Sequence, residues 1–449
     1  MATTYKTPGV YVEEIVKLPP SVAPVDTAIP AFIGYTATDA LKRKPTRIDS
    51  FIQFERLFGG PQLETKIAAR VVEITPGPNR DASITVDPIF DESKRSKFIL
   101  YYALQHFYAN GGKGAYIVSA GAYPVGGPSL TDLAPCLDPL AKVDEPTLIV
   151  IPEATRLKNA DFKALHGDAL KQCHELQDRF VIMDAHDDDA FGKPDTVVLT
   201  ALTGFRSNAT DTGYLNYGSA YAPYLATVLD FQFDEAQTIV KYKKDAAAEV
   251  DVKLADLKET NNQVYELTKA ALRDIPLVLP PSAAMAGIYA QVDNDRGVWK
   301  APANVSVAGV VKPVIEFSRA DLDALNVDPV GGKSVNAIRP FVGKGTLVWG
   351  ARTLAGNDNE WRYINVRRFF IFAEESIKKA TEQFTFESND ANTWVKLQAM
   401  IENFLTTQWR AGALQGIKPE HAFYVSLGLG KTMTALDILE GRLIVEIGL

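Results

Sequence analysis

The middle of the chain alternates apolar runs with one amphipathic run, and this rhythm is the strongest constraint on the fold. "PTLIVIPE" from Pro146 predicts a buried strand, "ADFKALHGDALKQCHELQD" predicts a helix, and "RFVIMDAHD" predicts the next strand. The apolar residues of this helix recur at helical spacing, namely Phe162, Leu165, Leu170, Cys173 and Leu176. Strands joined through a helix pair in parallel, so the sequence predicts an α/β fold, mixed with α+β elements.

The chain of 449 residues is long enough for about three domains. We expect an extended arm over residues 1–25, an α/β domain over 26–335 and a C-terminal domain over 336–449. Inside the α/β domain, Pro and Gly turns between short alternating runs predict a β-rich insertion over 61–97. A charged, alanine-rich stretch over 234–274 predicts a helical, largely solvated segment.

Each end of the chain carries a short strand, "GVYVEEI" near the start and "RLIVEIGL" at the finish. The unpaired N–H and C=O groups of such a strand need a sheet. The two strands pair either within their own subunit or, because a proline-rich and therefore extended spacer follows the first one, with a neighbouring subunit. The second alternative predicts a polymer. Its linking residues are Val10, Tyr11, Val12, Ile15, Leu443, Ile444, Val445 and Ile447.

A helix predicted near the C-terminus has one apolar and one polar face. "WVKLQAMIENFLTTQW" places Trp394, Leu397, Ile401, Phe404 and Leu405 on one stripe. The other face carries Lys396, Gln398, Asn403 and Gln408. This pattern predicts a helix that packs on one side only.

Two glycine-rich turns resemble a phosphate-binding loop but lack the glycine spacing of that motif. The motif G-x-x-x-x-G-K-[ST] needs a glycine five residues before Gly430, and Val425 stands there. In "VGGKS", from Val330 to Ser334, Val327 occupies the same position. The strand that ends in Asp184 resembles a Walker B strand, so a nucleotide-binding protein remains a remote alternative.

The remaining clusters of polar and aromatic residues do not match a known catalytic or metal-binding motif. The five histidines form no H-E-x-x-H motif, and the acidic turn "DAHDDD" lacks the spacing of a Ca²⁺ loop, which favours a solvated turn. The cluster of Tyr214, Tyr217, Tyr221 and Tyr224 is a candidate sugar or single-strand platform, although no Arg or Lys is interleaved and a packed element is favoured. We expect no catalytic residue, cofactor or metal site.

Net charge, apolar runs and cysteine spacing argue against further classes of protein. A net charge of -8 argues against a nucleic-acid binder, since such proteins carry a basic face. The N-terminus lacks the features of a secretory signal, and no apolar run reaches the roughly 18 residues of a membrane span. Cys136 and Cys173 form no C-x-x-C motif, and we expect free thiols in a cytosolic product.

Several runs resemble the contractile tail sheath family, which includes sheaths of bacteriophages, phage-tail-like bacteriocins and extracellular contractile injection systems. They are "TPGVYVEEI", "VAPVDTAIPAFIGYT", "LPPSAAMAGIYAQVDNDRGVWKAPAN", "WRYINVRRFFIFAEESI", "FESNDANTWVKLQAMIENFL" and "AFYVSLGLGKTMTALDILEGRLIVEIGL". Together they cover roughly half the chain, in the expected order. The closing run looks most like the injection-system branch, and a bacteriophage or bacteriocin sheath is the alternative.

This resemblance implies a structural polymer and no enzyme. Subunits of the family stack as hexameric rings around an inner tube and contract to drive it through a target envelope. By resemblance, 336–449 is an inner domain with exchanged terminal strands, 26–335 is an outer domain, and the helix with Lys396 and Asn403 faces the tube. The implied partners are further copies of the chain, an inner tube protein, a baseplate and, in some systems, paralogous sheath subunits. Assembly in the bacterial cytoplasm into a tail-like particle, without membrane insertion, is expected.

Overall fold

The computed structural model describes residues 21–78, 80–91, 94–188, 190–211 and 213–449. The chain divides into two compact units. The larger unit is Asp26–Phe372. The smaller unit contains Ala373–Leu449 and an N-terminal segment that ends at Val25. The predicted boundary at residue 336 therefore lies too early. Residues 336–349 form two strands that are hydrogen-bonded into the main sheet of the larger unit.

Helices and strands alternate along most of the chain, which confirms the mixed α/β fold class. The strands are β1 (Pro30–Thr36), β2 (Thr46–Ile48), β3 (Ala68–Ile74), β4 (Ser83–Ile89), β5 (Ala115–Ala122), β6 (Leu148–Val150), β7 (Phe180–Asp184), β8 (Gly218–Ala222), β9 (Leu225–Thr227), β10 (Ile239–Lys244), β11 (Val250–Lys253), β12 (Leu277–Leu279), β13 (Val310–Pro313), β14 (Asn336–Phe341), β15 (Gly345–Trp349), β16 (Tyr424–Leu427) and β17 (Val445–Gly448). The helices are α1 (Phe51–Phe58), α2 (Leu100–Ala109), α3 (Leu130–Leu133), α4 (Leu137–Leu140), α5 (Asn159–Leu176), α6 (Val198–Gly204), α7 (Leu254–Thr260), α8 (Asn262–Arg273), α9 (Ser282–Arg296), α10 (Arg319–Asn326), α11 (Ile364–Thr381), α12 (Ala391–Arg410) and α13 (Ala435–Leu439).

An eight-stranded sheet forms the centre of the larger unit, in the order β15-β14-β8-β7-β6-β1-β5-β2. Its inner pairs are parallel, and antiparallel strands close both edges. The predicted strands β6 and β7 pair in parallel and are joined by the predicted helix α5, whose Phe162, Leu165, Leu170 and Cys173 are buried. The crossover expected from the sequence is confirmed.

Helices cover both faces of this sheet. On β8, the Ser219 hydroxyl lies 3.2 Å from the Tyr289 hydroxyl of α9, whereas a Cβ on Gly218 would come within 2.7 Å of Leu170 of α5. Consecutive strand residues point to opposite faces, so α9 and α5 lie on opposite sides. Only glycine permits the close approach of α5 at residue 218.

A second, four-stranded sheet has the order β11-β10-β3-β4. Strands β3 and β4 lie within the predicted β-rich insertion over 61–97. The expectation of helix throughout 234–274 is wrong, because helix begins only at Leu254 and β10 and β11 precede it. Val240 and Tyr242 alternate with lysines and pair with Ala69 and Val71 of β3, so sheet pairing overrides the helical composition.

Two buried carboxylates connect the sheet to its covering helices. Glu153, just beyond β6, accepts hydrogen bonds from the backbone N–H groups of Ile99 and Leu100 at the start of α2, and from Tyr35 N–H of β1. Asp184, at the end of β7, accepts from Ser282 N–H and Oγ at the start of α9. Each carboxylate satisfies helix N–H groups that have no partner inside the helix.

Burial raises the pKa of Glu153 from 4.5 to about 7, against the opposite effect of its backbone hydrogen bonds. The folded state therefore binds a proton that the unfolded state has released, and the contribution of Glu153 to the free energy of unfolding falls as the pH rises from about 4.5 to about 7. In Glu153→Gln we expect this contribution to disappear. Urea denaturation at pH 5 to 8.5 should show a wild-type-minus-variant difference that changes below pH 7 and is flat above it.

The exposed Glu266 provides the control for this experiment, and Glu266→Gln should reproduce the wild-type profile. A difference for Glu153→Gln that is constant across the whole pH range would contradict the assignment.

Candidate assembly surfaces

Helix α12 dominates the smaller unit and packs on one side. The Asp390 carboxylate caps it by accepting a hydrogen bond from Thr393 N–H at 3.0 Å. The buried stripe contains Leu397, Met400, Ile401, Phe404 and Leu405, and the exposed stripe contains Asn392, Val395, Lys396, Ala399, Asn403, Thr407 and Arg410. The predicted apolar face is confirmed.

Lys396 and Asn403 are exposed and lie on the same side of α12. Two other residues predicted on the polar face are engaged elsewhere. Gln408 is buried, and the Gln398 amide donates to Glu402 Oε1 at 2.7 Å. The exposed stripe contains the apolar Val395 beside small and polar side chains, and its two charged residues, Lys396 and Arg410, are both positive. A partner of this stripe would therefore meet a weakly basic surface.

Strands β16 and β17 form a two-stranded antiparallel sheet in the smaller unit, with Val425 opposite Ile447 and Leu427 opposite Val445. Of the predicted linking residues, Val445 and Ile447 lie in β17, and Leu443 and Ile444 lie just before it. The C-terminal strand thus pairs with its own chain along one edge. Among the residues that the structure describes, no third strand joins this sheet. The other predicted linking residues, Val10, Tyr11, Val12 and Ile15, lie outside the described residues.

The turn from Gly428 to Thr432 binds itself and offers no cradle for a phosphate. The N–H groups of Lys431, Thr432 and Met433 all donate to the carbonyl of Gly428, and the Thr432 hydroxyl donates to Ile444 O. Backbone N–H groups that already have an acceptor cannot surround a phosphate. The side chain of Lys431 points into solvent.

In the second glycine-rich turn, Lys333 and Ser334 are buried and hydrogen-bonded to other parts of the chain. The Lys333 ammonium donates to the carbonyls of Arg206, at 2.5 Å, and Thr210, at 2.9 Å, around the π-helix Phe205–Ala209. Asp328 accepts from the backbone N–H groups of Val330 and Lys333. Burial lowers the pKa of Lys333, and both ends of the turn are occupied by protein groups.

The acidic turn and the tyrosine cluster are mostly packed. Asp184, at the end of β7, is buried, which limits the expected solvation to the rest of the acidic turn, where Asp188 is exposed. Within the part of the chain described, no group of three or more acidic, His or Cys residues is placed to hold a metal ion. Tyr217, Tyr221 and Tyr224 are buried, whereas Tyr214 is partly exposed and stacks on His174. The cluster is therefore a packed element and no exposed stacking platform.

Comparison with known proteins points to one family. Residues 356–448 match the family described as phage tail sheath C-terminal domain. The tail sheath protein of Vibrio phage KVP40 is 29% identical over 134 residues, which is 28% of this chain and 19% of that protein. The chain therefore spans about a fifth of the length of this curated phage relative.

Solved sheath structures match along the whole chain. The PVC sheath complex of an extracellular contractile injection system, in the contracted state, is 27% identical with a TM-score of 0.63, covering 100% of this chain and 94% of that chain. The helical sheath of the anti-feeding prophage in the contracted state is 27% identical with a TM-score of 0.62, covering 99% and 95%. These similarities confirm the resemblance to contractile tail sheaths. No helix among the described residues is long and apolar enough to span a membrane.

Lys333 and Lys431, in the two glycine-rich turns, lead to opposite predictions for the free energy of unfolding. Lys333→Ala leaves the buried Thr210 carbonyl and the partly buried Arg206 carbonyl without this donor, so we expect the free energy of unfolding to fall by about 1–3 kcal/mol. Lys431→Ala removes an exposed side chain and should change it by less than about 0.5 kcal/mol. Chemical denaturation measures both. Saturable ATP binding that Lys431→Ala abolishes would contradict this interpretation of the Gly428 turn.

Proposed function

We propose that this protein is the structural subunit of a contractile sheath. Subunits stack as hexameric rings in helical register around an inner tube, and contraction drives that tube through a target cell envelope. The observation that carries this proposal is the 27% identity, across 100% of the chain, to the sheath complex of an extracellular contractile injection system. The particle assembles in the bacterial cytoplasm and has a baseplate and an inner tube as further partners.

Contraction of this kind needs no nucleotide at each subunit, and we assign no enzymatic role. The extended sheath is a metastable packing held by tube and baseplate, and the contracted sheath is a more stable packing of the same subunits. Subunits that move as nearly rigid bodies release interface free energy as they change neighbours. The self-bound turn at Gly428 is consistent with this mechanism.

Strand exchange is the proposed link between subunits. The sheet β16–β17 has only two strands within its own chain, so each strand has one edge without a strand partner among the residues described. An unpaired edge accepts an added strand. We assign the N-terminal strand around Val10 to Ile15 of a neighbouring subunit to this sheet, with the proline-rich spacer as its tether. The smaller unit is then the inner domain and the larger unit the outer domain.

We assign the exposed stripe of α12 to the inner tube. Its small side chains and its two cations, Lys396 and Arg410, suit contacts that form weakly and break during contraction. Exposed ion pairs are worth well under about 1 kcal/mol each. Many such contacts along a sheath would hold the extended form without preventing its release.

The injection-system branch is favoured over a bacteriophage tail. The PVC sheath complex of an extracellular contractile injection system is 27% identical and covers 100% of this chain. A phage tail sheath is the second candidate, supported by the domain match at 356–448.

Removal of residues 1–20 tests strand exchange. The variant should keep the thermal unfolding midpoint of its compact units, because the larger and smaller units carry their own contacts, but it should form no long cylinders in the presence of the tube protein. Sedimentation and negative-stain electron microscopy measure assembly. Cylinders of wild-type length and yield from the truncated chain would contradict this role of the arm.

Lys396→Glu tests the tube-facing assignment. Reversal of one exposed charge should leave folding unchanged but reduce the yield of extended particles on the tube several-fold, because every subunit carries the change. Lys418→Glu, an exposed reversal outside α12, is the matched control and should assemble normally. Equal yields from both variants would exclude this face as the tube contact.

A further inference from the structure

Phe386 is the most exposed aromatic side chain in the part of the chain described, with a relative exposure of 102% and a φ of +75°. A bulky residue at positive φ is a rare and unfavourable combination, and such strain concentrates at functional sites. In the isolated subunit, the ring of Phe386 buries no apolar surface, and asparagine or glycine would adopt this positive φ with less strain.

The loop that carries Phe386 is held on both sides. Backbone N–H groups of Thr385 and Glu387 donate to Glu382 O and Phe384 O, both at 3.0 Å. Further along, the Asn389 side chain accepts from the Trp394 indole at 2.7 Å and donates to Arg442 O at 2.9 Å. The aromatic ring therefore stands on a fixed loop, which lowers the entropy lost when a partner binds it.

This loop is acidic. Residues 382–390 contain Glu382, Glu387 and Asp390 and no Lys or Arg. Neighbouring cations are engaged, since Lys378 and Lys379 pair with Glu375 and Arg442 pairs with Glu440. We call residues 382–390 the acidic knob.

The larger unit carries a pocket of about 500 Å³ with the opposite character. Leu63, Phe98, Pro124 and Val125 contribute apolar surface to a lining that is otherwise mainly polar, and the exposed rim carries Lys66, Lys94 and Lys97. Lys94 pairs with Asp91, and the buried Glu64 is paired with Arg95. Neither Lys66 nor Lys97 forms an ion pair with a described residue. We call this cavity the basic pocket.

We propose that the acidic knob of one copy inserts Phe386 into the basic pocket of a second copy. The inference rests on the proposed function, since it assumes that the chain polymerises. Aromatic anchors that fill a pocket inside a ring of charged contacts are typical of energetic hot spots. A contact between two different surfaces of one chain is heterologous, and such contacts generate rings and helical assemblies.

Substitution of the knob provides the first test. Phe386→Asn should leave thermal stability unchanged or raise it, because asparagine tolerates positive φ. Its critical concentration for assembly should rise about tenfold or more, since each contact loses a buried ring. Ile417→Asn, which replaces another highly exposed apolar residue of the same unit, should assemble like wild type. Equal assembly of Phe386→Asn and wild type would overturn the proposal.

Charge exchange tests the pairing of the two surfaces. Glu387→Lys and Lys97→Glu should each weaken assembly, and the double variant should recover most of the loss; Lys312→Glu in place of Lys97→Glu should give no recovery. A double variant as weak as the sum of its parts would overturn the pairing. If the weakening appears only when the inner tube is present, the knob instead contacts the tube and the proposal is wrong.

Cross-linking separates this contact from the proposed function. Glu387→Cys and Val125→Cys proteins, mixed and treated with a short bismaleimide, should give a covalent dimer, while the buried Cys136 and Cys173 should not react. Cross-linked dimers without cylinders would support the contact but contradict the sheath function. Cylinders without cross-linked dimers would support the sheath and overturn this contact.

Discussion

The capping of two helices by buried carboxylates is the interaction on which the larger unit depends. Glu153 and Asp184 follow adjacent parallel strands, and each binds the N-terminus of a helix that covers the same region of the sheet. A Cβ at residue 34 would come within 2.8 Å of the Glu153 carboxylate, so Gly34 of β1 leaves room for it. These hydrogen bonds join the sheet to the two helices at buried carboxyl groups.

The main sheet and the small sheet differ in whether their edge strands are covered by backbone hydrogen bonds. In the main sheet, residues 304–307 cover the outer edge of β15, where Asn304 N–H donates to Val348 O and Val307 N–H donates to Thr346 O. The small sheet of β16 and β17 has no such cover among the described residues. An unpaired edge promotes association, so the small sheet differs in this respect from the covered edge of β15.

Local periodicity explains which elements could be predicted from sequence. The helix α5 and its flanking strands were predictable because their apolar spacing reflects burial directly, and the same holds for α12. Strands β10 and β11 were not, since a lysine-rich alternation gains its sheet character only from β3, far away in sequence. Glu153 has no local signal either, because its donors lie at residues 35, 99 and 100. In the sequence, Phe386 cannot be distinguished from a core residue, since its exposure follows from the fold.

The sheath function itself depends on whether the chain polymerises around a tube. Electron microscopy of the full chain, purified alone and co-expressed with its genomic neighbours, tests this most directly. A sheath subunit should form hollow, striated cylinders with six-fold end views in the co-expressed sample. Monodisperse globular particles in both samples would contradict it.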